Sequence, residues 1–235
     1  MKRLLRRLGT WCSGWLQPPA RDGPAESLQP RPPLLIVVEG PHDVEFLKRI
    51  SALLHRQHMC LPDLGRAESE GRITFLPAGG GNLWTLPRRL APLALVEWHL
   101  YDREVSPATE QRQQHVDGIN ARPRSQAILT RKRALENYLN PLAVLQAGGV
   151  NIEFTDDDAV PQLVALAAYR TLGTELPWAE LSHRARKRRC ERAKIWLNTR
   201  AVDCMTPELL HQRDPDGEIA GWLATIAGLL ADAAD

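Results

Sequence analysis

Five consecutive apolar residues, Leu34-Leu35-Ile36-Val37-Val38, mark a strand buried on both faces. The run stops at Glu39-Gly40-Pro41, and proline suits the first turn of a helix. Val44, Leu47, Ile50, Ser51 and Leu54 then recur at helical spacing, which predicts a helix over 42–56. The same alternation continues downstream. A second strand is predicted over 72–76, broken by Ala78-Gly79-Gly80-Gly81, with a helix from Asn82, a capable N-cap. A third strand over 94–101 ends in Asp102-Arg103-Glu104, a helix follows over 107–120, and a fourth strand covers 126–130. Strands alternating with helices predict an α/β fold with a mostly parallel central sheet flanked by helices. Beyond Asn140 the periodicity is helical, over 159–171, 178–198 and 217–231. The chain therefore divides into an α/β core over 34–140 and a helical C-terminal region over 141–235 packed on it.

Residues 1–33 differ in character. Lys2, Arg3, Arg6 and Arg7 accompany Leu4, Leu8, Trp11 and Trp15 at helical spacing, which predicts a basic amphipathic helix. A Pro-rich run with Pro18, Pro19, Pro24, Pro30, Pro32 and Pro33 then reads as an extended linker. The apolar run after Arg7 is too short and too polar for a secretory signal. The helix reads either as a docking element or as a frayed extension without function.

Composition adds exclusions. In 235 residues, 43% are hydrophobic and 25% charged, which is globular rather than disordered, collagen-like or coiled-coil. No run of 18 apolar residues exists, so no transmembrane segment is expected. Cys12, Cys60, Cys190 and Cys204 lie too far apart for a C-x-x-C metal or redox pair, and reduced thiols in a cytoplasmic protein are expected. The net charge of +2 hides a segregation. Residues 181–200 carry a net +7 and residues 201–235 a net −6. Such a basic block suits a polyanion, or else a solvated helix face balanced by the acidic tail.

Acids collect where open sheets place their chemistry, outside the carboxyl ends of strands. Glu39 ends the first strand, Asp43 lies one turn into the next helix, and Asp102 and Glu104 follow the third strand. Residues i and i+2 of a strand share a side, so Asp102 and Glu104 are expected to converge. Gathered carboxylates repel in a site of reduced dielectric unless cations offset them. Hard oxygen ligands suit Mg²⁺ or Mn²⁺, and two such ions can activate water against a phosphodiester. Taken singly, Glu39-Gly40 reads as an ordinary strand-to-helix turn and Asp102-Arg103-Glu104 as an exposed loop. On strands of one α/β pattern, the two together are far more specific.

Val37-Val38-Glu39-Gly40-Pro41-His42-Asp43-Val44-Glu45-Phe46-Leu47 resembles the first motif of the TOPRIM domain, shared by topoisomerases, primases and a set of nucleases. Leu100-Tyr101-Asp102-Arg103-Glu104 resembles its D-x-D motif, with Glu for the second Asp, and Gly79-Gly80-Gly81-Asn82-Leu83 resembles its glycine turn. Arg131-Lys132-Arg133-Ala134-Leu135-Glu136-Asn137-Tyr138-Leu139 resembles a segment of the TOPRIM half of overcoming-lysogenization-defect (OLD) endonucleases. The resemblance implies a Rossmann-like TOPRIM core and a two-metal nuclease using Mg²⁺ or Mn²⁺. It implies that Glu39 and Asp43 serve one metal and that Asp102, with Glu104 and Glu136, serves the other. Glu39, Asp102 and a lysine beyond the sheet would be catalytic. Lys194 is the best placed lysine, with Lys187 in the same predicted helix. Glu104 keeps the carboxylate but lengthens it by a methylene.

Arg131 and Arg133, with Arg184, Lys187 and Arg188 of the basic block, are the expected contacts to nucleic acid, DNA rather than RNA. OLD endonucleases carry an ATPase in the same chain. No G-x-x-x-x-G-K-[ST] occurs here, so the expectation is either a separate P-loop ATPase partner or a nuclease that acts alone, and a homodimer is a further expectation. The alternative is a non-catalytic TOPRIM-like module that binds nucleic acid or that ATPase. Retention of all five acids favours the enzyme. His42 and His99 flank the expected site as proton shuttles or, more plainly, as structural residues. Tyr138 and most tryptophans read as packing, and Asp156-Asp157-Asp158 as a cap for the helix near Ala159.

Overall fold

The computed structural model describes residues 33–79, 83–173 and 176–232. The basic helix and Pro-rich linker expected in 1–33 lie outside the described residues, Pro33 excepted, as do Gly80, Gly81 and Asn82.

Four strands, β1 (Leu34–Val38), β2 (Ile73–Pro77), β3 (Glu97–Tyr101) and β4 (Ser125–Leu129), form one all-parallel sheet in the order β2-β1-β3-β4. In β1 the side chains alternate between two cores, as the pleat requires. Leu34, Ile36 and Val38 join the core under α1 (Pro41–Gln57) and α2 (Leu64–Ser69). Leu35 and Val37 join the core under α3 (Leu86–Leu90) and α4 (Ala108–Asn120). Helices thus cover both faces, which explains why β1 is apolar throughout. Val37 lies opposite His99. Glu39 and Asp102 therefore leave the sheet at one edge, beside the point where chain order reverses about β1.

The C-terminal region adds α5 (Pro141–Gln146), α6 (Val160–Thr171), α7 (His183–Trp196), α8 (Pro207–Arg213) and α9 (Glu218–Asp232). Val160, Val164, Leu197, Leu223 and Ile226 share one core with Phe46, Ile50 and Trp98, so these helices pack on the α1 side of the sheet. Tyr138 packs edge-on to Trp222 at 5.5 Å between centroids and donates its hydroxyl to Glu218 at 2.5 Å, a packing role as expected.

Several local expectations need correction. The helix expected from Asn82 begins at Leu86, lasts five residues and gives way to a 3₁₀ turn at Ala91–Leu93, where Pro92 has no N–H to continue it. The third strand begins at Glu97, because Ala94 lies in the left-handed region at φ 51°. The helix expected over 178–198 is split. A 3₁₀ turn (Trp178–Glu180) precedes Ser182, whose hydroxyl accepts from Ala185 N–H at 3.2 Å and caps α7. Asp156-Asp157-Asp158 does not cap α6. Asp156 binds Lys132 and Arg213, Asp157 pairs with Arg103, and Asp158 accepts from Thr155 at 2.7 Å. Basic side chains brought in by the fold take Asp156 and Asp157, and a local turn with Thr155 takes Asp158. No helix among the described residues is long and apolar enough to cross a membrane.

Candidate functional site

The site grows from the first strand-to-helix turn. Gly40 precedes α1, and its N–H donates to Asp43 Oδ2 at 2.8 Å, an acid at the third helical position reaching back to the cap. This fixes the Asp43 carboxylate at the sheet edge. Its other oxygen, Oδ1, has no hydrogen-bond partner although the residue is only 3% exposed.

Asp102 follows β3 directly. Its backbone N–H donates to Glu39 Oε1 at 2.9 Å, and its Oδ1 accepts from Leu135 N–H at 3.1 Å. Leu135 opens a 3₁₀ turn (Leu135–Tyr138), so the same turn that anchors Asp102 also presents Glu136. Glu136 is buried and takes a hydrogen bond from Asn198 Nδ2 at 2.6 Å. Asn198 sits where α7 passes into a π-helical stretch, Leu197–Ala201. One turn earlier on α7, Lys194 places its Nζ 3.4 Å from Asp43 Oδ1, 3.6 Å from Glu136 Oε1 and 3.9 Å from Asp102 Oδ2. Lys187 does not enter this group; it is exposed on α7.

Burial pushes the Asp102 carboxyl well above the usual range, against the pull of Lys194, and the Glu39, Asp43 and Glu136 charges push the same way. Asp43 is raised for the same leading reason. Lys194 is held above its ordinary value: burial alone would lower it, but Glu136, Asp102 and Asp43 outweigh that. The cluster is therefore rich in negative charge and poor in water, and one ammonium tempers it.

Arg112, on α4, is a site residue that the sequence reading missed. Its Nη1 binds Glu39 Oε1 and the Asp102 carbonyl (2.6 Å for the latter), and its Nη2 meets Glu39 Oε2 at 3.2 Å. The signal available was positional. Arg112 lies near the start of the helix after β3, much as Asp43 does after β1. Asn198 was also missed; its signal is the i+4 spacing from Lys194 on one helix face.

Glu104 is placed differently from expectation. β3 ends at Tyr101 and Glu104 has φ 59°, so strand alternation does not carry it beside Asp102. Its carboxylate instead pairs with Arg133 Nε at 3.1 Å. It still lines the same cavity of about 240 Å³ as Asp102, Glu136 and Lys194, with Cys190 on the wall. Arg131 pairs with Asp216 at 3.1 Å. Arg184, Lys187 and Arg188 stand exposed on α7, without an acidic partner among the described residues. His99 is not at the site. It is fully buried on the α4 side of the sheet, with its ring nitrogens 2.8 Å from Glu97 Oε2 and Tyr101 Oη.

Among the described residues no three His, Cys, Asp or Glu side chains form a ready ligand set for a metal ion. The residues nonetheless fit a hard divalent cation. Their donors are all carboxylate oxygens, one buried oxygen of Asp43 has the Lys194 ammonium nearby but no hydrogen bond, and the three acids outnumber that ammonium. No protein-family model, curated protein or solved structure matches the chain. The likeness to TOPRIM and OLD nucleases rests on the quoted residues alone.

Proposed function

We propose that the chain is a divalent-cation-dependent phosphodiesterase acting on nucleic acid, of the TOPRIM/OLD-like type. The observation that supports this most is the placing of Lys194 within 4 Å of Asp43, Asp102 and Glu136, acids supplied by three separate segments. A purely structural ion pair needs one partner; three buried acids around one ammonium leave charge to be met by something else. Asp43, Asp102 and Glu136 would hold Mg²⁺ or Mn²⁺, which supplies an acidified water and offsets phosphate charge. Lys194 would stand against the charge that builds on the phosphate oxygens. Glu39, held by Arg112 and the Asp102 N–H, fixes the turn that aims Asp102. Arg184, Lys187 and Arg188 extend positive charge along the helix that bears Lys194 and suit a phosphate backbone, which we take to be DNA. A P-loop ATPase partner and a homodimer belong to the same proposal.

A second reading has its own support. Because Lys194 and Arg112 already engage the acids, the cluster also suits a non-catalytic module that binds nucleic acid or an ATPase partner. Incubating the protein with plasmid, single-stranded DNA and RNA, with Mg²⁺, Mn²⁺ or EDTA, separates the two. Metal-dependent cutting that is lost in Asp102→Asn supports the enzyme. Binding without cutting on every substrate supports the module.

A further inference from the structure

Arg112 engages both oxygens of Glu39 while the other acids of the site face Lys194. A guanidinium fork on a carboxylate is a strong, directional pairing that occupies a lone pair on each oxygen. Oε1 is used twice over, since it also accepts the Asp102 N–H at 2.9 Å. Arg112 is anchored a third time by the Asp102 carbonyl at 2.6 Å, so it is tied to the strand end and not only to Glu39. Its side chain is 14% exposed and that of Glu39 21%, which shields the pair from much of the competition of water.

The charges of the site then sort cleanly. Glu39 is matched by Arg112 and Glu104 by Arg133. Asp43, Asp102 and Glu136 are left against Lys194 alone. With all three acids ionised, as cation binding requires, two negative charges are left over, which is the charge of one divalent cation. A second cation beside Glu39 would have to displace a guanidinium held at three points, or sit next to it in a site of low dielectric.

We infer that the chain binds one divalent cation, at Asp43, Asp102 and Glu136, and that Arg112 occupies the place of a second one by holding Glu39. The inference rests on the metal-dependent reading above and departs from the two-metal arrangement that the resemblance implied. Arg112 is a positioning residue on this account: it keeps Glu39 out of the metal's ligand set and keeps the Asp102 backbone aimed.

The test is a count of bound Mn²⁺ on the full chain, by calorimetric titration with MnCl₂ and by the loss of the free-Mn²⁺ paramagnetic resonance signal. The wild type should bind one Mn²⁺. Arg112→Gln frees the Glu39 carboxylate and should bind two, and the double variant Arg112→Gln/Glu39→Gln should return to one. Circular dichroism establishes that each variant is folded. Should Arg112→Gln not fold, Glu39→Gln alone carries the test, because its count should stay at one. Two Mn²⁺ on the wild type, an unchanged count in a folded Arg112→Gln, or a count that drops in Glu39→Gln would each overturn the inference and leave the metal-dependent reading standing. No Mn²⁺ bound by the wild type would overturn both.

Discussion

Asn198 donates its side-chain amide to Glu136 Oε1 at 2.6 Å, and both residues are almost wholly buried. The bond crosses from the π-helical stretch after α7 to the turn after β4, and it ends on the same Glu136 oxygen that faces Lys194. Asn198→Leu removes the donor and leaves a buried carboxylate short of one partner. It should lower stability by about 1–3 kcal/mol, read from urea denaturation. It should also weaken Mn²⁺ binding, because the freed carboxylate loses its orientation. An unchanged denaturation midpoint would show that Glu136 is satisfied without it.

Asp102 is expected to trade stability for function. Its carboxyl is raised by burial, so ionisation at neutral pH works against the fold. Asp102→Asn keeps an oxygen for the Leu135 N–H and removes the charge. In EDTA it should melt about 2–4 °C above wild type, equivalent to ~1 kcal/mol for a chain of this size, and with Mg²⁺ or Mn²⁺ present its cutting should be lost. A variant that melts lower than wild type would contradict this.

The same shift fixes the sign of a pH dependence. A carboxyl raised in the folded state adds stability below its unfolded value, near 4, and that contribution is lost as pH rises through the folded value. The stability gap between Asp102→Asn and wild type, both in EDTA, should therefore close as pH falls from neutral toward 4. Taking the difference cancels carboxyls that shift the other way, such as Glu97 and Asp158. A gap that widens on acidification would refute the assignment.

Lys194 is the counterweight to three acids. Lys194→Met removes the ammonium and leaves them facing one another, which should destabilise the protein in EDTA by about 3–5 kcal/mol. Mn²⁺ should restore more of the melting temperature in this variant than in wild type, because the cation then meets a larger deficit. Equal Mn²⁺ effects in both proteins would place the metal elsewhere.

The basic face of α7 predicts a salt dependence. Charge reversal at Arg184, Lys187 and Arg188 together should weaken DNA binding and flatten the plot of log affinity against log salt by about 0.9 per lost phosphate contact. Fluorescence anisotropy with a labelled duplex at several salt concentrations measures it. An unchanged slope would assign the face to something other than nucleic acid.

Local signals carried the first half of the fold. The apolar run of β1 and the proline of α1 act on adjacent residues, so their elements follow from neighbours alone. The same holds for the acids at strand ends, since a strand that stops in Glu39 or Asp102 places that residue at the sheet edge whatever packs above. Elements decided by tertiary contact were less legible. The short α2 depends on the Asp63 cap and on burial of Leu64 and Ala67 rather than on a long period. Glu104 reaches the cavity of Asp102 by a left-handed turn after β3 and not by the strand alternation expected. Arg112 reads in sequence as one more charge on a polar helix, and only the fold brings it to Glu39. Lys194 and Lys187 were separable only by which face of α7 meets the sheet.

The order in which the cluster is assembled follows from where its members lie along the chain. Every acid of the site, together with Arg112, belongs to the α/β core, whereas Lys194 and Asn198 arrive with α7 and the stretch that follows it. A chain emerging from the ribosome folds from its N-terminus onward, so Asp43, Asp102 and Glu136 are made well before the ammonium that moderates them. An unfinished or clipped product ending after the sheet would carry the full set of carboxylates without the side chain that makes their neighbourhood tolerable. Only a product that extends through Asn198 brings the two halves of this chemistry together, so α7 closes the assembly of the site.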